Sequence, residues 1–248
     1  MNQVAPDQRA TNEIEHGRLL AAGDTEDTWG WDTPAGRARA RRRAQMIVRT
    51  AGLRPGVRAL EIGCGTGMFT SLFAESGAEI VGVDISGDLL ARARKRELPG
   101  ERVQFVESRF EDYATGDRFD AVIGSSVLHH LDLEAAVPQI FDLLGSGGRM
   151  SFAEPNLLNP QVYLSLRFRS LPMFWYVSPD ETAFLRWSLK KRVDIAGFEG
   201  VEIVPHEWLH PATPPGWIRM VSAMGRGLER TPGVREFAGS HLITARRP

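Results

Sequence analysis

The feature that most restricts the fold is a regular alternation of short apolar runs and helix-like segments that begins at Val57. The candidate strands are "VRALEIG", "AEIVGVD", "RVQFVES", "FDAVIGS" and "GRMSFAE", with candidate helices between them near 67–76, 88–96 and 133–144. Strands that alternate with helices join through right-handed crossovers, so the pattern predicts a parallel sheet with helices on both faces. Two closing strands, "FEGVEIV" and "HLITARR", are separated by a long loop and predict an antiparallel hairpin at the end of the sheet.

We expect the alternating region to form one domain over residues 51–248, preceded by a helical N-terminal extension over residues 1–50. The extension is predicted to contain two helices around "EDTWGWDTPAGRARARRRAQMIV", after a disordered lead-in of residues 1–12. Two inserts interrupt the domain, an apolar and aromatic one at 155–179 and a proline-rich one at 205–230. A helix between them is predicted to begin with "SPDE", where serine suits the cap and proline the first turn.

Composition and charge exclude several classes of protein. The 248 residues carry a formal net charge of −1, so no overall field favours a nucleic acid or a membrane surface. No stretch reaches the roughly twenty apolar residues that span a bilayer, and the polar start "MNQVAPDQRATNEIEHG" lacks the core of a signal peptide. The single cysteine, Cys64, excludes an internal disulfide and favours a reducing compartment. We therefore expect a cytoplasmic protein without a membrane span, present as a monomer or homodimer.

A glycine-rich loop follows the first predicted strand and points to a nucleotide-like ligand. It reads "GCGTGM" over residues 63–68, and its glycines permit positive φ and a close approach of the backbone to a ligand. Unpaired N–H groups of the helix that follows suit a carboxylate or a phosphate. Asp84, at the tip of the second strand, can accept hydrogen bonds from both hydroxyls of a ribose. A dinucleotide and other adenosine-bearing molecules share these requirements.

Two residues favour an amino-acid–nucleoside over a dinucleotide. The dinucleotide fingerprint requires a small residue where this chain has Met68. Glu61, at the end of the first strand, either orients the loop or meets a cationic ammonium group through water, whereas a pyrophosphate gains nothing from an anion there. Cys64 is interpreted as a small loop residue, because no base that would activate its thiol is identifiable.

With these residues in place, the chain resembles the class I S-adenosylmethionine-dependent methyltransferases. The resemblance rests on "LEIGCGTG", "VGVDIS", "FDAVIGSSVLHHL" and "LLGSGGRMSFAEPN", which occur in this order over roughly residues 55–156. It implies an α/β fold, a Rossmann-like doubly wound sheet of seven strands in the order 3-2-1-4-5-7-6 with an antiparallel last strand. It also implies S-adenosyl-L-methionine as the cofactor.

The resemblance further implies which residues hold that cofactor, in addition to Glu61. Its methionine end would be lined by Gly63, Gly65, Gly67, Ser125 and Ser126. Asp84 would hold the ribose, and Ile85 would pack on the adenine. The family often places an aspartate against the adenine amino group, at a position where this sequence has Ser108 or Arg109. The adenine would then be held by stacking on Phe110 or by a hydrogen bond to a backbone carbonyl.

Candidate catalytic groups follow the fourth and fifth strands. A hydroxyl acceptor needs a base, whereas a neutral amine or a carboxylate does not. His129 and His130 are candidate bases, with His130 preferred, and Glu154 is a second candidate; the two imidazoles could instead serve packing and the start of a helix. His206 and His210 are expected to be ordinary loop residues, because no paired ligand spacing accompanies them. No metal site is expected.

The acceptor is expected to bind beyond the carboxyl ends of the strands. Aromatic residues of the inserts either roof an apolar pocket there or form a secondary core or a dimer contact. They are Tyr163, Phe168, Phe174, Trp175, Tyr176, Trp208 and Trp217. Trp29 and Trp31 are expected to close the other side. The arginine-rich stretch from Arg37 to Arg43 is interpreted as a solvated helix face or an anion clamp, which in one variant holds the cofactor carboxylate or an acidic acceptor.

The sequence therefore predicts an enzyme that methylates a small, partly apolar molecule, with oxygen favoured over nitrogen or carbon as the acceptor atom. One alternative is a methyltransferase of RNA or protein, and another is a protein that binds the cofactor without catalysis. The near-neutral charge and the absence of an appended basic domain argue against RNA. The expected partner is a small-molecule methyl acceptor and not a nucleic acid.

Overall fold

The computed structural model describes residues 6–171 and 181–248, with side chains from residue 8 onward. The strands are β1 Arg58–Ile62, β2 Glu79–Asp84, β3 Val103–Glu107, β4 Phe119–Ser125, β5 Leu144–Pro155, β6 Glu199–His206 and β7 Ser240–Arg246. They form one seven-stranded sheet in the order β3-β2-β1-β4-β5-β7-β6. Strands β1 to β5 run parallel, and β7 lies antiparallel between β5 and β6. The predicted Rossmann-like fold, its strand order and its antiparallel last strand are confirmed.

Helices are present near 67–76, 88–96 and 133–144, as the sequence pattern predicts, and the described part of the N-terminal extension contains three helices where two were expected. The helices are α1 Pro6–Ala22, α2 Thr25–Thr28, α3 Pro34–Ala51, α4 Met68–Ala74, α5 Gly87–Ala93, α6 Leu133–Leu143, α7 Pro160–Arg167, α8 Arg186–Ile195 and α9 Ile218–Leu228. Residues 6–12, expected to be disordered, belong to α1. Helix α8 begins at Arg186, and the residues that were predicted to open it, Ser178 and Pro179, lie outside the described residues.

Pro34 starts a helix and does not interrupt one. The side chain of Thr33 accepts a hydrogen bond from the N–H of Gly36 at 2.9 Å, and Pro34 occupies the first turn, where its missing N–H is not needed. The helix ends at Gly52, whose φ of 72° lies in the left-handed region that glycine adopts easily. The arginine-rich stretch therefore lies within one helix, α3, where residues four apart share a face.

The sheet is covered on both faces, because successive residues of a strand point to opposite sides. On one side Leu60 and Phe152 belong to a cluster with α6 and α8. On the other side Ala59 and Ile123 belong to a cluster with α3 and α4. The nearly continuous apolar runs of the central strands follow from this burial on two sides.

The N-terminal helices and both inserts gather at the end of the sheet where the parallel strands finish. Helix α1 packs against α5, α7 follows Pro155 at the end of β5, and the second insert follows His206 at the end of β6. Ser240, at the start of β7, pairs with both Pro155 and His206. Among the helices of the described residues, none has both the length and the apolar character needed to cross a membrane.

The buried face of β5 gives a prediction about stability. Phe152→Ala should lower the free energy of unfolding by about 3–5 kcal/mol, because it removes a fully buried ring and leaves a cavity. Urea unfolding measures this loss. The control Phe237→Ala removes a ring that is 49% exposed, and should change stability by less than about 1 kcal/mol. Equal losses in both variants would contradict this assignment of the core.

Candidate active site

The ends of β1, β2, β4 and β5 open into a cavity of about 1360 Å³. The glycine-rich loop and the strand ends form its floor, and residues of α1, of the segment before α3 and of both inserts complete its wall. Ligands of open α/β sheets bind at this end of the strands. The cavity is therefore the candidate active site.

The glycine-rich loop makes a left-handed turn directly after β1. Gly63, Gly65 and Gly67 have φ angles of 66°, 52° and 73°. A Cβ on Gly63 would lie 2.4 Å from Cγ2 of Val127, so only glycine fits there. Gly63 and Gly65 line the cavity, whereas Gly67 faces Ala93 of α5, whose Cβ would lie 3.0 Å from an added Cβ. Gly67 thus serves the packing of the loop, and its expected contact with a cofactor finds no support in this placement.

Asp84 ends β2 and holds the loop in place. Its Oδ2 accepts a hydrogen bond from the N–H of Gly65 at 2.7 Å, and its Oδ1 accepts one from the N–H of Ser86 at 2.8 Å. Burial raises the pKa of Asp84, and the two backbone hydrogen bonds oppose this rise. Each carboxylate oxygen has a second lone pair, so the group can still accept hydrogen bonds from ligand hydroxyls. Ile85 follows on the cavity wall.

Glu61 lies beneath the loop. Thr70 of α4 donates a hydrogen bond to its Oε2 at 2.6 Å, and the side chain is buried. Burial raises the pKa of Glu61 to about 8, although the hydrogen bond from Thr70 lowers it. A carboxyl group that is largely protonated at neutral pH is a poor partner for a cationic ammonium group. Of the two roles that the sequence left open, this geometry favours orientation of the loop.

The residues expected near an adenine follow β3. Arg109 and Phe110 both line the cavity. The Nε of Arg109 lies 3.6 Å from an Oδ of Asp112, and the hydroxyl of Ser108 donates to the carbonyl of Arg109 at 2.8 Å. Phe110 is buried and offers an apolar surface at the cavity wall, which suits a packing contact.

Sequence reasoning missed a buried cluster around Arg43. One Nη of Arg43 donates to the hydroxyls of Ser125 and Ser126 at 3.2 and 2.9 Å. The other donates to a carboxylate oxygen of Glu207 and to the hydroxyl of Ser240, the latter at 2.8 Å. These contacts join α3 to the end of β4, the second insert and the start of β7. All five residues line the cavity.

Arg39 extends this cluster along the same face of α3. It donates to the same Glu207 oxygen at 3.0 Å, and the guanidinium groups of Arg39 and Arg43 lie 4.9 and 5.0 Å from the ring centroid of Trp31. Burial alone would raise the pKa of Glu207, but the two arginines outweigh it and hold that pKa well below its usual range. Two cations against one anion leave a net positive charge on the cavity wall. The spacing of Arg39 and Arg43 shows in the sequence that they share a helix face, but the sequence does not show that their partner is Glu207.

His129 forms a buried pair with Glu154. Its Nδ1 lies 2.7 Å from one carboxylate oxygen of Glu154, whose other oxygen accepts hydrogen bonds from the N–H groups of Val127 and Leu128 at 3.0 and 2.9 Å. Burial raises the pKa of Glu154, but the hydrogen bonds and the charge of His129 outweigh it and lower that pKa. The Nε2 of His129 lies on the other side of the ring, 3.8 Å from an oxygen of Glu181.

His130 is paired with the N-terminal extension. Its Nδ1 lies 3.1 Å from a carboxylate oxygen of Glu13 on α1. Burial alone lowers the pKa of His130, but the hydrogen bond and charge of Glu13, joined by the charges of Glu181 and Glu154, raise it to about 9. His130 is thus a cation at neutral pH, with no proton-accepting nitrogen. A cation is a poor proton acceptor, which favours His129 over His130 as the candidate base.

His129, His130 and Glu181 form a compact group, since one nitrogen or oxygen of each lies within 4.8 Å of the others. A protonated His130 has no lone pair to offer a metal ion. We therefore interpret the group as an acid–base cluster, and the absence of a metal site stays a prediction.

The aromatic residues of the inserts do not share one position. Trp208 lines the cavity, as do Trp29 and Trp31 of the N-terminal extension. Those that are largely exposed are Tyr163, Phe168 and Trp217. Those outside the described residues are Phe174, Trp175 and Tyr176. His206 is not a loop residue as expected, because it ends β6 and is buried, whereas His210 lies in the insert on the cavity wall.

The Glu13–His130 pair predicts that stability depends on pH. Because the pKa of His130 is raised to about 9 in the folded chain, its contribution is complete below about pH 6.5, the ordinary pKa of histidine. The contribution is lost as the pH rises through 9, by on the order of 1–3 kcal/mol in the free energy of unfolding. Urea unfolding at a series of pH values measures this slope.

A matched pair of variants on α1 tests the cause of the slope. Glu13→Gln should flatten it, because the neutral amide no longer favours the imidazolium ion. Glu15→Gln changes an exposed residue of the same helix and should leave the slope as it is. An unchanged slope in Glu13→Gln would show that another group titrates.

Comparison with known proteins agrees with this architecture. Residues 60–150 match a family model described as "Methyltransferase domain". The crystal structure of the N-methyltransferase NodS from Bradyrhizobium japonicum WM9, in complex with S-adenosyl-L-homocysteine, superposes with a TM-score of 0.62 at 18% sequence identity. The superposition covers 96% of this chain and 99% of that one. At this identity the likeness shows the fold.

Curated relatives show the family. A nodulation protein S of Rhizobium tropici is 26% identical over 148 residues, which cover 58% of this chain and 60% of that protein, so the match spans about three fifths of that relative. A ubiquinone biosynthesis O-methyltransferase of Alkalilimnicola ehrlichii is 32% identical over 168 residues, which cover 64% of this chain and 67% of that protein. The chain belongs to the class I S-adenosylmethionine-dependent methyltransferases, enzymes whose cofactor is S-adenosyl-L-methionine.

Proposed function

We propose that this protein methylates an oxygen atom of a small, partly apolar acceptor, and that His129 accepts the proton of the acceptor hydroxyl. The observation that carries the proposal is the buried contact of 2.7 Å between Nδ1 of His129 and Glu154 at the end of β5. Among the relatives compared above, one is named an O-methyltransferase, and the solved structure is that of an N-methyltransferase. The choice of oxygen therefore rests on the base and not on the relatives.

The described residues fit the cofactor. The left-handed turn at Gly63 and Gly65 brings backbone, without side chains, to the cavity floor. Asp84 stands at the tip of β2 with acceptor capacity for ribose hydroxyls, and Ile85 and Phe110 offer apolar surface for an adenine. When bound, S-adenosyl-L-methionine supplies a methyl group on a positively charged sulfur.

The charged cluster on α3 suits the anionic end of the cofactor. Arg43 contacts Ser125 and Ser126 at the end of β4, where the family resemblance places the methionine part. With Arg39 it carries one positive charge more than Glu207 neutralises. A carboxylate is favoured at this part of the wall, since charge-assisted hydrogen bonds to arginine are the stronger kind.

His129 is oriented to accept a proton at Nε2. The lowered pKa of Glu154 keeps it a carboxylate, and the hydrogen bonds from Val127 and Leu128 fix its position. A carboxylate accepts a hydrogen bond from Nδ1–H, which leaves the lone pair of His129 on Nε2. The same carboxylate stabilises the imidazolium ion that forms after proton transfer.

The cavity wall supports an acceptor with an apolar part. Its apolar members include Leu157, Val162, Leu185, Leu189, Leu209 and Pro211. Trp29 and Trp31 close the wall on the side of the N-terminal extension. Methyl transfer to the hydroxyl moves the positive charge from the sulfur to the imidazole of His129, where the Glu154 carboxylate stabilises it, and most of the acceleration comes from holding the acceptor close to the methyl group.

RNA or protein acceptors, and binding without catalysis, are the competing functions. The net charge of −1 disfavours a long phosphate footprint, and the arginines of α3 that line the cavity are engaged with Glu207. A histidine that lines the cavity and is backed by a buried carboxylate favours catalysis over binding of the cofactor alone. Incubation with labelled cofactor and fractionated cell extract, followed by mass spectrometry of labelled products, identifies the acceptor.

The loop after β1 predicts how the cofactor is bound. Gly63→Ala should weaken the affinity for S-adenosyl-L-homocysteine by at least about tenfold, because its Cβ would clash with Val127 and a left-handed alanine costs roughly 1–2 kcal/mol. Isothermal titration calorimetry measures the change. Gly116→Ala, at a position with open space around it, is the control and should keep the affinity of the parent protein.

The His129–Glu154 pair predicts the effect of two substitutions on turnover. His129→Ala should lower kcat by about 10²–10⁴-fold while the affinity for S-adenosyl-L-homocysteine stays within about twofold. Glu154→Gln should lower kcat by a similar factor, because its amide donates to Nδ1 and forces the proton onto Nε2. Both are measured by transfer of labelled methyl groups to the identified acceptor.

His210→Asn is the control for this pair, since His210 also lines the cavity but lies in the insert, bound to Gln161. Its kcat should fall by less than about threefold, because no general base is lost. Full activity in His129→Ala, together with intact cofactor binding, would remove His129 as the base and leave the family assignment standing.

A further inference from the structure

Helix α9 presents an apolar stripe to solvent. Trp217, Met220 and Met224 follow one another at helical spacing and are 59%, 47% and 60% exposed. The neighbouring side of the helix packs inward, where Gly225 approaches the side chain of Trp208, and the exposed Arg219 and Arg226 lie on the side away from the stripe. An exposed stripe of three large apolar side chains on one helix is more than scattered surface hydrophobics, and such patches mark interaction sites.

Helix α7 presents a second exposed apolar surface. Tyr163, Leu164 and Phe168 are each about half exposed. The start of α7 lies against the second insert, because Gln161 and His210 approach to 3.0 Å through their side-chain nitrogens. Both helices leave the sheet at the end that carries the cavity. We name the six apolar residues of α7 and α9 the docking face.

The charge around the docking face is positive, although the whole chain has a net charge of −1. Residues 156–171 and 208–228 contain no aspartate or glutamate. The exposed charged residues of these two segments are Arg167, Arg219 and Arg226, and the exposed Arg230 lies two residues after the second segment. The two glutamates that flank the segment 208–228 are largely buried, and Glu207 contacts Arg43 while Glu229 contacts Arg42. Positive charge is therefore concentrated where the apolar side chains are exposed.

We infer that the docking face binds the surface of a bilayer that contains anionic phospholipids. A helix with a strong apolar stripe that includes tryptophan, and with arginines on its polar face, lies in the interface between headgroups and acyl chains. Arginines near an anionic surface add attraction, and a tryptophan ring suits the headgroup level. Helix α9 is 11 residues long and lies on the surface without spanning the bilayer.

The bilayer fits this face better than a protein partner does. A protein interface is usually depleted of charge at its core and closes over its apolar centre. Here the apolar side chains lie on two separate helices and are accompanied by arginines, in segments 156–171 and 208–228 that contain no aspartate or glutamate. The docking face also adjoins residues of α7 and the second insert that line the cavity, Val162 and Leu209 among them. The cavity would then open beside the membrane surface.

Vesicle sedimentation tests the inference with the full chain and without cofactor or acceptor, so that the result does not depend on the proposed function. The protein should sediment with vesicles made of equal parts of phosphatidylcholine and phosphatidylglycerol, and at least about tenfold less with phosphatidylcholine alone. Trp217→Ser combined with Met220→Ser and Met224→Ser should lower binding to the anionic vesicles by at least about tenfold. Arg219→Gln with Arg226→Gln should do the same.

Ile195→Ser is the matched control, because Ile195 is an apolar side chain that is 74% exposed. It lies shortly before β6, whose first residue, Glu199, pairs with Arg246 at the end of the sheet away from the cavity. It should leave vesicle binding unchanged. Circular dichroism and urea unfolding confirm that each variant is folded. The inference is overturned if the parent protein stays in the supernatant with anionic vesicles, or if the serine variant binds them as the parent does. It is equally overturned if the parent is a dimer by analytical ultracentrifugation and the serine variant becomes a monomer with unchanged vesicle binding.

Discussion

The site depends on a left-handed turn that forms directly after β1. Gly63 has room for backbone only, because Val127 occupies the space where a side chain would begin. The turn brings the N–H of Gly65 to the carboxylate of Asp84, so that the first and second strands end in one rigid unit. That unit leaves a cavity floor without side chains, and the other groups of the site are arranged around it.

The fold and the cofactor loop could be predicted because their signals are local. Each central strand is a short apolar run, and the loop is a continuous motif with an acidic residue one strand later. The cluster around Arg43 could not be predicted in the same way. Its partner Glu207 lies 164 residues further along the chain, and the two side chains meet only when the second insert folds back over the sheet. The spacing of Arg39 and Arg43 shows a shared helix face, but no local pattern shows what that face meets.

The two adjacent histidines show a second limit of local reasoning. His129 and His130 are adjacent in the sequence, so the sequence does not show which of the two imidazoles could accept a proton and which is held as a cation. The short helical turn at Leu128–His130 sends one ring to Glu154 at the end of β5 and the other to Glu13 on α1. The two rings therefore pair with different glutamates, and the pairing with Glu13 raises the pKa of His130. Residues 6–12, expected to be disordered, carry few apolar side chains and nevertheless belong to α1, a helix that packs on α5.

The position of β7 has a consequence for the way the chain is made. Strand β6 pairs with β7 and reaches the rest of the sheet through it, and Ser240 of β7 also contacts Arg43. On the ribosome, β5 therefore remains an unprotected edge until residues 240–246 have been synthesised, and an open edge is prone to pair with other chains. A nascent chain that stalls before Ser240 has its nucleotide loop but lacks both the strand that covers the edge of β5 and the contact of Ser240 with Arg43.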